Sequence, residues 1–273
     1  MRPRQWIKNA LVLSVPAAAG MLFERDVLVN TTLALIAFCL ASAGTYLLND
    51  VADLEADRLH PVKRTRPIAA GEVSARTATT VAIAAFGLAC AVAALAGVAL
   101  LLVVIAYIGL TIAYSYGLKH VPIFDIAAVA AGFFLRAVAG GAASDIFISK
   151  WFLILAGGGS LFLVTAKRYA ELRTAPPDIA GQRSVLSEYS EEYLRAMLAA
   201  IAGVVVVAYC IWAFDHSWAT SASAVPFVMG IMRYGLLVDQ GHGEEPEIVL
   251  FGDRTLLGLA AACIGLLALG TAL

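Results

Sequence analysis

Leu47-Leu48-Asn49-Asp50-Val51-Ala52-Asp53-Leu54-Glu55-Ala56-Asp57-Arg58 closes a long apolar run that begins near Thr31, and His60-Pro61-Val62-Lys63-Arg64-Thr65-Arg66-Pro67 follows it. At about 100° per residue, Asp50, Asp53 and Asp57 fall within one narrow arc of a helix, with Asn49 beside Asp53 and Glu55 pointing away. Like charges on one helical face repel each other, so this spacing asks for a cation among the acids. Hard oxygen donors in that number suit Mg²⁺, which proteins hold with one or two carboxylates and the phosphates of a substrate. The basic run from His60 to Arg66 supplies cations for those phosphate oxygens. The plainer reading is a helix end that reaches water, where acids and bases solvate the exit, but solvation alone would not need this spacing.

The rest of the chain puts that stretch in a membrane. Its 273 residues are 61% hydrophobic and 14% charged, with a mean hydropathy of +0.84, far from the averages of soluble domains. An all-α, polytopic membrane protein is expected, one integral-membrane domain over 1–273. A net charge of −1 identifies no partner by itself, because the charges are segregated along the chain; nucleic acid is not expected. Cys39, Cys90, Cys210 and Cys263 lie singly in apolar runs and read as small buried hydrophobes.

The basic N-terminus, with Trp6 and Lys8-Asn9, leads into a short apolar run from Ala10 to Phe23. A signal peptide cut after Ala17-Ala18-Ala19 is the rival reading. A retained first helix is preferred, since Lys8 and Asn9 sit deep enough to face a site. Further spans are expected over 30–50, 76–94, 97–116, 124–142, 151–168, 193–213, 221–238 and 254–272, each near the roughly 20 residues that cross a hydrocarbon core. That makes a nine-helix bundle. Arg2, Arg4 and Lys8 precede the first span, and Arg58, Lys63, Arg64, Arg66 and Arg76 follow the second. Lys119 follows the fourth, and Lys167, Arg168, Arg173, Arg183 and Arg195 surround the sixth-to-seventh connection. Only Arg25 and Lys150 fall on the other side, which places the N-terminus and the even-to-odd loops in the cytoplasm of a cell membrane.

Two of those cytoplasmic loops are long, 57–75 and 169–193, and each follows a helix whose last turn is polar. The correspondence suggests an old internal repeat, with both polar ends over a central cavity opening to the cytoplasm. The second loop, with Pro176-Pro177 and Gly181, is a candidate lid. Ionisable residues at membrane depth are functional hypotheses by default. Asp125 at the start of the fifth span is either a cap or a site residue. Arg136, three turns further in, either pairs with an acid or holds a phosphate. Tyr46, Tyr114 and Tyr116 either hydrogen-bond substrate or form an interfacial belt. No HExxH, P-loop or GxSxG motif occurs, which counts against metalloprotease, NTPase and hydrolase chemistry.

Asn49-Asp50-x-x-Asp53-x-x-x-Asp57 at the end of a second helix resembles the UbiA superfamily of intramembrane prenyltransferases, over essentially the whole chain. The resemblance implies that Asn49, Asp50, Asp53 and Asp57 bind Mg²⁺ and a diphosphate. The family's second acidic motif, DxxxD after helix 6, is replaced here by Lys167-Arg168-Tyr169-Ala170-Glu171-Leu172. Several further stretches look like one branch of that superfamily, the decaprenyl-phosphate phosphoribosyltransferases. They are Arg2-Pro3-Arg4-Gln5-Trp6-Ile7-Lys8-Asn9, His60-Pro61-x-Lys63-Arg64-x-Arg66-Pro67, Tyr116-Gly117-Leu118-Lys119-His120 and Arg136-Ala137-x-Ala139-Gly140-Gly141.

This resemblance implies transfer of 5-phosphoribose from phosphoribosyl diphosphate (PRPP) to decaprenyl monophosphate or a similar polyprenyl monophosphate, for synthesis of cell-wall arabinan. One acidic motif then suffices, because only the sugar donor carries a diphosphate. Asp50, Asp53 and Asp57 are the expected catalytic residues. Lys8, Tyr46, Asn49, Arg58, Lys63, Arg64, Arg66, Lys119, Asp125, Arg136, Lys167 and Arg168 are the expected substrate-binding set. The bilayer takes the isoprenoid tail, and a homo-oligomer is compatible with all of this. Prenyl transfer to an aromatic or quinone precursor is the alternative enzyme, and an ion-carrying transporter the alternative outside enzymes.

Overall fold

The structure, a computed structural model, describes residues 3–174, 185–242 and 246–272. Arg2, Arg183, and the Pro176-Pro177 pair and Gly181 of the candidate lid lie outside them. All regular elements among the described residues are helices. Seven are long and apolar enough to cross a membrane, and a shorter apolar helix covers Arg254–Gly270, so this is a multi-pass membrane protein. The chain forms two compact units, Met1–Ile148 and Ser149–Leu273.

In the first unit, helix α2 (Arg25–Ala52) is the inner element, and Ala34, Ala37, Phe38 and Ala41 on it are fully buried. Small residues on one face let neighbouring backbones close in. At Gly44 an added Cβ would stand 2.6 Å from the Phe86 ring of α4 (Ala75–Ala96). Ser74 caps α4 by accepting from the Thr77 amide at 3.0 Å. Gly97, at φ +125°, is the single residue between α4 and α5 (Val98–Tyr116), a conformation that favours glycine. Helix α6 (Phe124–Ser144) completes the unit; within it Phe38 and Tyr107 meet at 5.1 Å between ring centroids. In α2 and α6 the apolar stretches are 50% and 56% buried, against 28% and 22% for α4 and α5.

The expected first span, 10–23, takes a different form. Pro3–Leu13 is a 3₁₀ helix and only Ser14–Ala18 (α1) is α-helical. Runs of 3₁₀ helix this long are uncommon, and this one is held by packing. Asn9 and Val12 are fully buried, and Val12 brings its carbonyl against α6 at Gly140, where a Cβ would collide. The second span also starts earlier than expected, at Arg25, and continues after a break at Asp53 as the short α3 (Leu54–Leu59).

In the second unit, α7 (Lys150–Thr174) packs against α8 (Glu191–Phe214), with Gly158 close to Val205. Helix α7 runs six residues past its expected end at 168, to Thr174, with Lys167 and Arg168 within it. Ser190 caps α8 by accepting from the Tyr193 amide at 3.1 Å, and Glu191 and Glu192 favour the positive end of the helix. The expected eighth span is broken at Ser223 into α9 (Trp218–Ala222) and α10 (Ala224–Asp239). Then come α11 (Pro246–Gly252) and α12 (Arg254–Ala272). Tyr209 and Phe227 stack at 3.8 Å and tie α8 to α10.

Candidate active site

The acidic motif keeps its helical register through the break at Asp53. The Asp53 amide donates to the Asn49 carbonyl at 2.9 Å, and the Asp57 amide to the Asp53 carbonyl at 2.8 Å. The carboxylates remain on one side, and each has a cationic partner. Arg66 donates from Nη1 to Asp57 Oδ2 at 2.5 Å and to Asp50 Oδ1 at 3.2 Å. Asp57 is only 2% exposed, and a carboxylate buried so far needs such a partner. Asp53 accepts from Asn49 Nδ2 at 2.9 Å and pairs with Lys119, which the 3₁₀ turn Leu118–His120 presents.

The loop that carries Arg66 back to the acids folds on its own hydrogen bonds. His60 Nδ1 accepts from the Val62 and Lys63 amides at 3.2 and 3.3 Å, so that nitrogen must be unprotonated. Burial, and Lys63 nearby, hold the His60 imidazole below its usual pKa, which favours this acceptor form. The turn Lys63–Thr65 leaves Lys63 half-buried and Arg64 exposed. Arg58 faces outward and pairs with Glu55 at 3.0 Å, apart from the acidic motif.

A cavity of about 530 Å³ opens beside Asp53 and Lys119, bounded by Ala52, Glu55, Ser115 and Tyr116. Tyr46 lies half-buried one turn before Asn49, and Asp125 is fully buried in the first turn of α6. Arg136 pairs with no acid among the described residues. Its Nε donates to Asn9 Oδ1 at 2.8 Å, Nη1 to the Gly132 carbonyl at 2.8 Å, and Nη2 to Ser42 Oγ and Tyr107 OH at 3.1 and 2.7 Å. Its acceptors are all neutral. Lys8, next to Asn9, is half-buried with Nζ 5.9 Å from the Phe133 ring centroid.

In the second unit, Lys167 and Arg168 share one acid. Arg168, 4% exposed, donates to Glu171 at 2.7 Å, and Lys167 stands 3.8 Å from it. Next to them Tyr169 is fully enclosed. Its hydroxyl donates to Asp239 at 2.9 Å and accepts from Arg195 at 3.0 Å.

Asn49, Asp50, Asp53 and Asp57 provide hard oxygen donors, and the cations already among them show that this face needs positive charge. The donor chemistry fits Mg²⁺. Among the described residues no three His, Cys, Asp or Glu side chains converge as a metal-holding group; Asp50 and Asp57 share Arg66 while Asp53 stands with Lys119.

Asn9 is expected from the sequence to face a site, whereas Ser42 and Tyr107 are not singled out there. Their signal was a polar group inside an apolar run: Ser42 lies two turns before Asn49 on the same side of α2.

The family model for the UbiA prenyltransferase family matches residues 13–252. This chain belongs to that family. Within the UbiA family it is similar to the decaprenyl-phosphate phosphoribosyltransferase of Corynebacterium glutamicum, at 43% identity over 97% of this chain and 83% of the relative. The enzyme of the same name from Mycobacterium tuberculosis is 43% identical, over 97% of this chain and 90% of the relative. The solved UbiA homolog from Archaeoglobus fulgidus bound to DMAPP and Mg²⁺ shares the fold, with a TM-score of 0.75 over 99% of this chain and 96% of that one, at 18% identity.

Proposed function

We propose that this UbiA-family chain transfers 5-phosphoribose from PRPP to decaprenyl monophosphate or a similar polyprenyl monophosphate, releasing diphosphate. The observation that carries this reading is the 43% identity along 97% of the chain to relatives named for that transfer. The polar residues are consistent with it. One acidic motif serves one diphosphate, and the lysines and arginines suit the two monophosphates.

In this reading Asp50, Asp53 and Asp57, with Asn49, hold Mg²⁺, which supplies charge neutralisation for the departing diphosphate. Lys63, Arg64 and Arg66 receive PRPP phosphates. Lys8, Lys119, Lys167 and Arg168 bind the ribose 5-phosphate or the lipid phosphate. An oxygen of the lipid phosphate attacks C1 of ribose. The C1–O bond to diphosphate breaks as the new C1–O bond forms, through an oxocarbenium-like transition state. The attacking phosphate is already an anion at neutral pH, so a general base is not required. Tyr46, Asp125 and Arg136 support the site as polar groups around it. The basic bias of the loops after the even-numbered spans supports a cytoplasmic active site and nine membrane segments, with the N-terminal 3₁₀ segment as the first. The product would feed cell-wall arabinan synthesis.

Binding tests the donor. PRPP with Mg²⁺ raises the melting temperature of the purified protein in detergent, and geranyl diphosphate with Mg²⁺ does so less. The reverse order favours prenyl transfer.

A further inference from the structure

The first unit contains a guanidinium whose hydrogen bonds all go to neutral oxygens. Arg136 is 7% exposed and, among the described residues, has no ion pair. The Tyr107 ring lies 4.7 Å from its Cζ. A buried cation is costly, so retaining one for neutral partners points to a task.

Those partners converge on the N-terminal segment. Asn9 Oδ1 accepts from Arg136 at 2.8 Å and from Ser42 at 3.3 Å, while its Nδ2 donates to Cys39 Sγ at 3.3 Å. The Asn9 side chain is therefore fixed from α2 and α6 together. In a 3₁₀ helix successive side chains are about 120° apart, so pinning Asn9 inward also sets the direction of Lys8. Lys8 then stands over Phe133, one turn before Arg136 on α6. A second contact is independent of the first. Gly140, one turn past Arg136, has no Cβ and so admits the Val12 backbone; Pro16 Cδ would stand 2.9 Å from an added Cβ.

We propose that Arg136 and Gly140 form a seat on α6 that holds the N-terminal 3₁₀ segment and so aims Lys8 at a phosphate of substrate. Arg136 is in this view a positioning residue acting through Asn9. The inference rests on the phosphoribosyl-transfer reading, which assigns Lys8 to a phosphate.

The test uses the full chain in detergent, with Lys8→Ala, Arg136→Gln, Gly140→Ala and the two doubles containing Lys8→Ala. Lys8→Ala raises KM for one phosphate-bearing substrate about tenfold. Arg136→Gln and Gly140→Ala each raise KM for that same substrate, with kcat changed less than about threefold, and neither adds to Lys8→Ala. Effects that multiply in the doubles, or unchanged KM values with only a lower melting temperature, overturn the seat. A second readout needs no activity and keeps the two readings apart. Lys8→Cys, measured against the unmutated chain as background, reacts with a thiol reagent at least about tenfold faster when Arg136→Gln is added. Equal rates overturn the seat even if phosphoribosyl transfer stands; faster labelling in a protein without transfer overturns the functional reading and leaves the seat.

Discussion

Arg66 and Asp57 meet at 2.5 Å, and the same Arg66 nitrogen lies 3.2 Å from Asp50. One guanidinium thus binds two carboxylates about two helical turns apart, on the face where the functional reading puts a divalent cation. Arg66 stabilises those carboxylates in the protein and, in that reading, also receives phosphate once a metal is bound to them.

Removing Arg66 should therefore matter most without metal. Arg66→Ala leaves Asp57 buried without its cation. With Arg66 itself a quarter exposed, the expected cost is about 1–3 kcal/mol. Melting curves with EDTA should show that loss, and millimolar Mg²⁺ should recover most of it. An equal deficit in both conditions would contradict a shared cation site.

Asp50 should be indispensable for turnover. Wild-type transfer stops with EDTA and returns with Mg²⁺, whereas Asp50→Ala falls at least about 100-fold and Mg²⁺ does not restore it. Transfer by Asp50→Ala near the wild-type level would remove the acidic motif from the mechanism.

Packing at Gly44 is a test of the fold alone. With Phe86 2.6 Å from the added carbon, Gly44→Ala should destabilise the protein by about 1–3 kcal/mol, and Phe86→Leu in the same chain should return much of that. The check is thermal unfolding of the two variants. A neutral Gly44→Ala would contradict the close approach of α2 and α4.

The basic loop should loosen in mild acid. His60 sits below its ordinary value of 6.5, chiefly through burial, so its contribution is complete above about that pH and is lost as pH falls through the lower folded value. Hydrogen exchange at the Val62 and Lys63 amides, corrected for the intrinsic rate, should accelerate over that window. His60→Ala should be fast throughout. Protection independent of pH would contradict the acceptor role of Nδ1.

Much of this was legible before any coordinates. The apolar runs located seven crossing helices to within a few residues, because hydrocarbon thickness and backbone satisfaction leave a chain few other options. The acid spacing was also readable, since the helical register survives the break at Asp53. The pairings were not. Arg66 reaching Asp57 depends on a loop folded around His60, and Lys119 reaching Asp53 depends on where α5 ends; neither is a periodicity. The N-terminal segment misled for a related reason. Its composition suits an α-helix, but Asn9 and Val12 are held by Arg136 and Gly140, more than a hundred residues away in sequence. Arg136 has no acid beside it among the described residues, against one of its two expected roles. Its neutral acceptors, Asn9, Ser42 and Tyr107, come from three separate stretches that no local pattern joins.

The most direct measurement supplies purified protein with Mg²⁺, ribose-labelled PRPP and decaprenyl monophosphate, and in parallel with a prenyl diphosphate and 4-hydroxybenzoate. The account predicts label in the lipid fraction and no prenylated benzoate. Prenylated benzoate with PRPP left intact would contradict it.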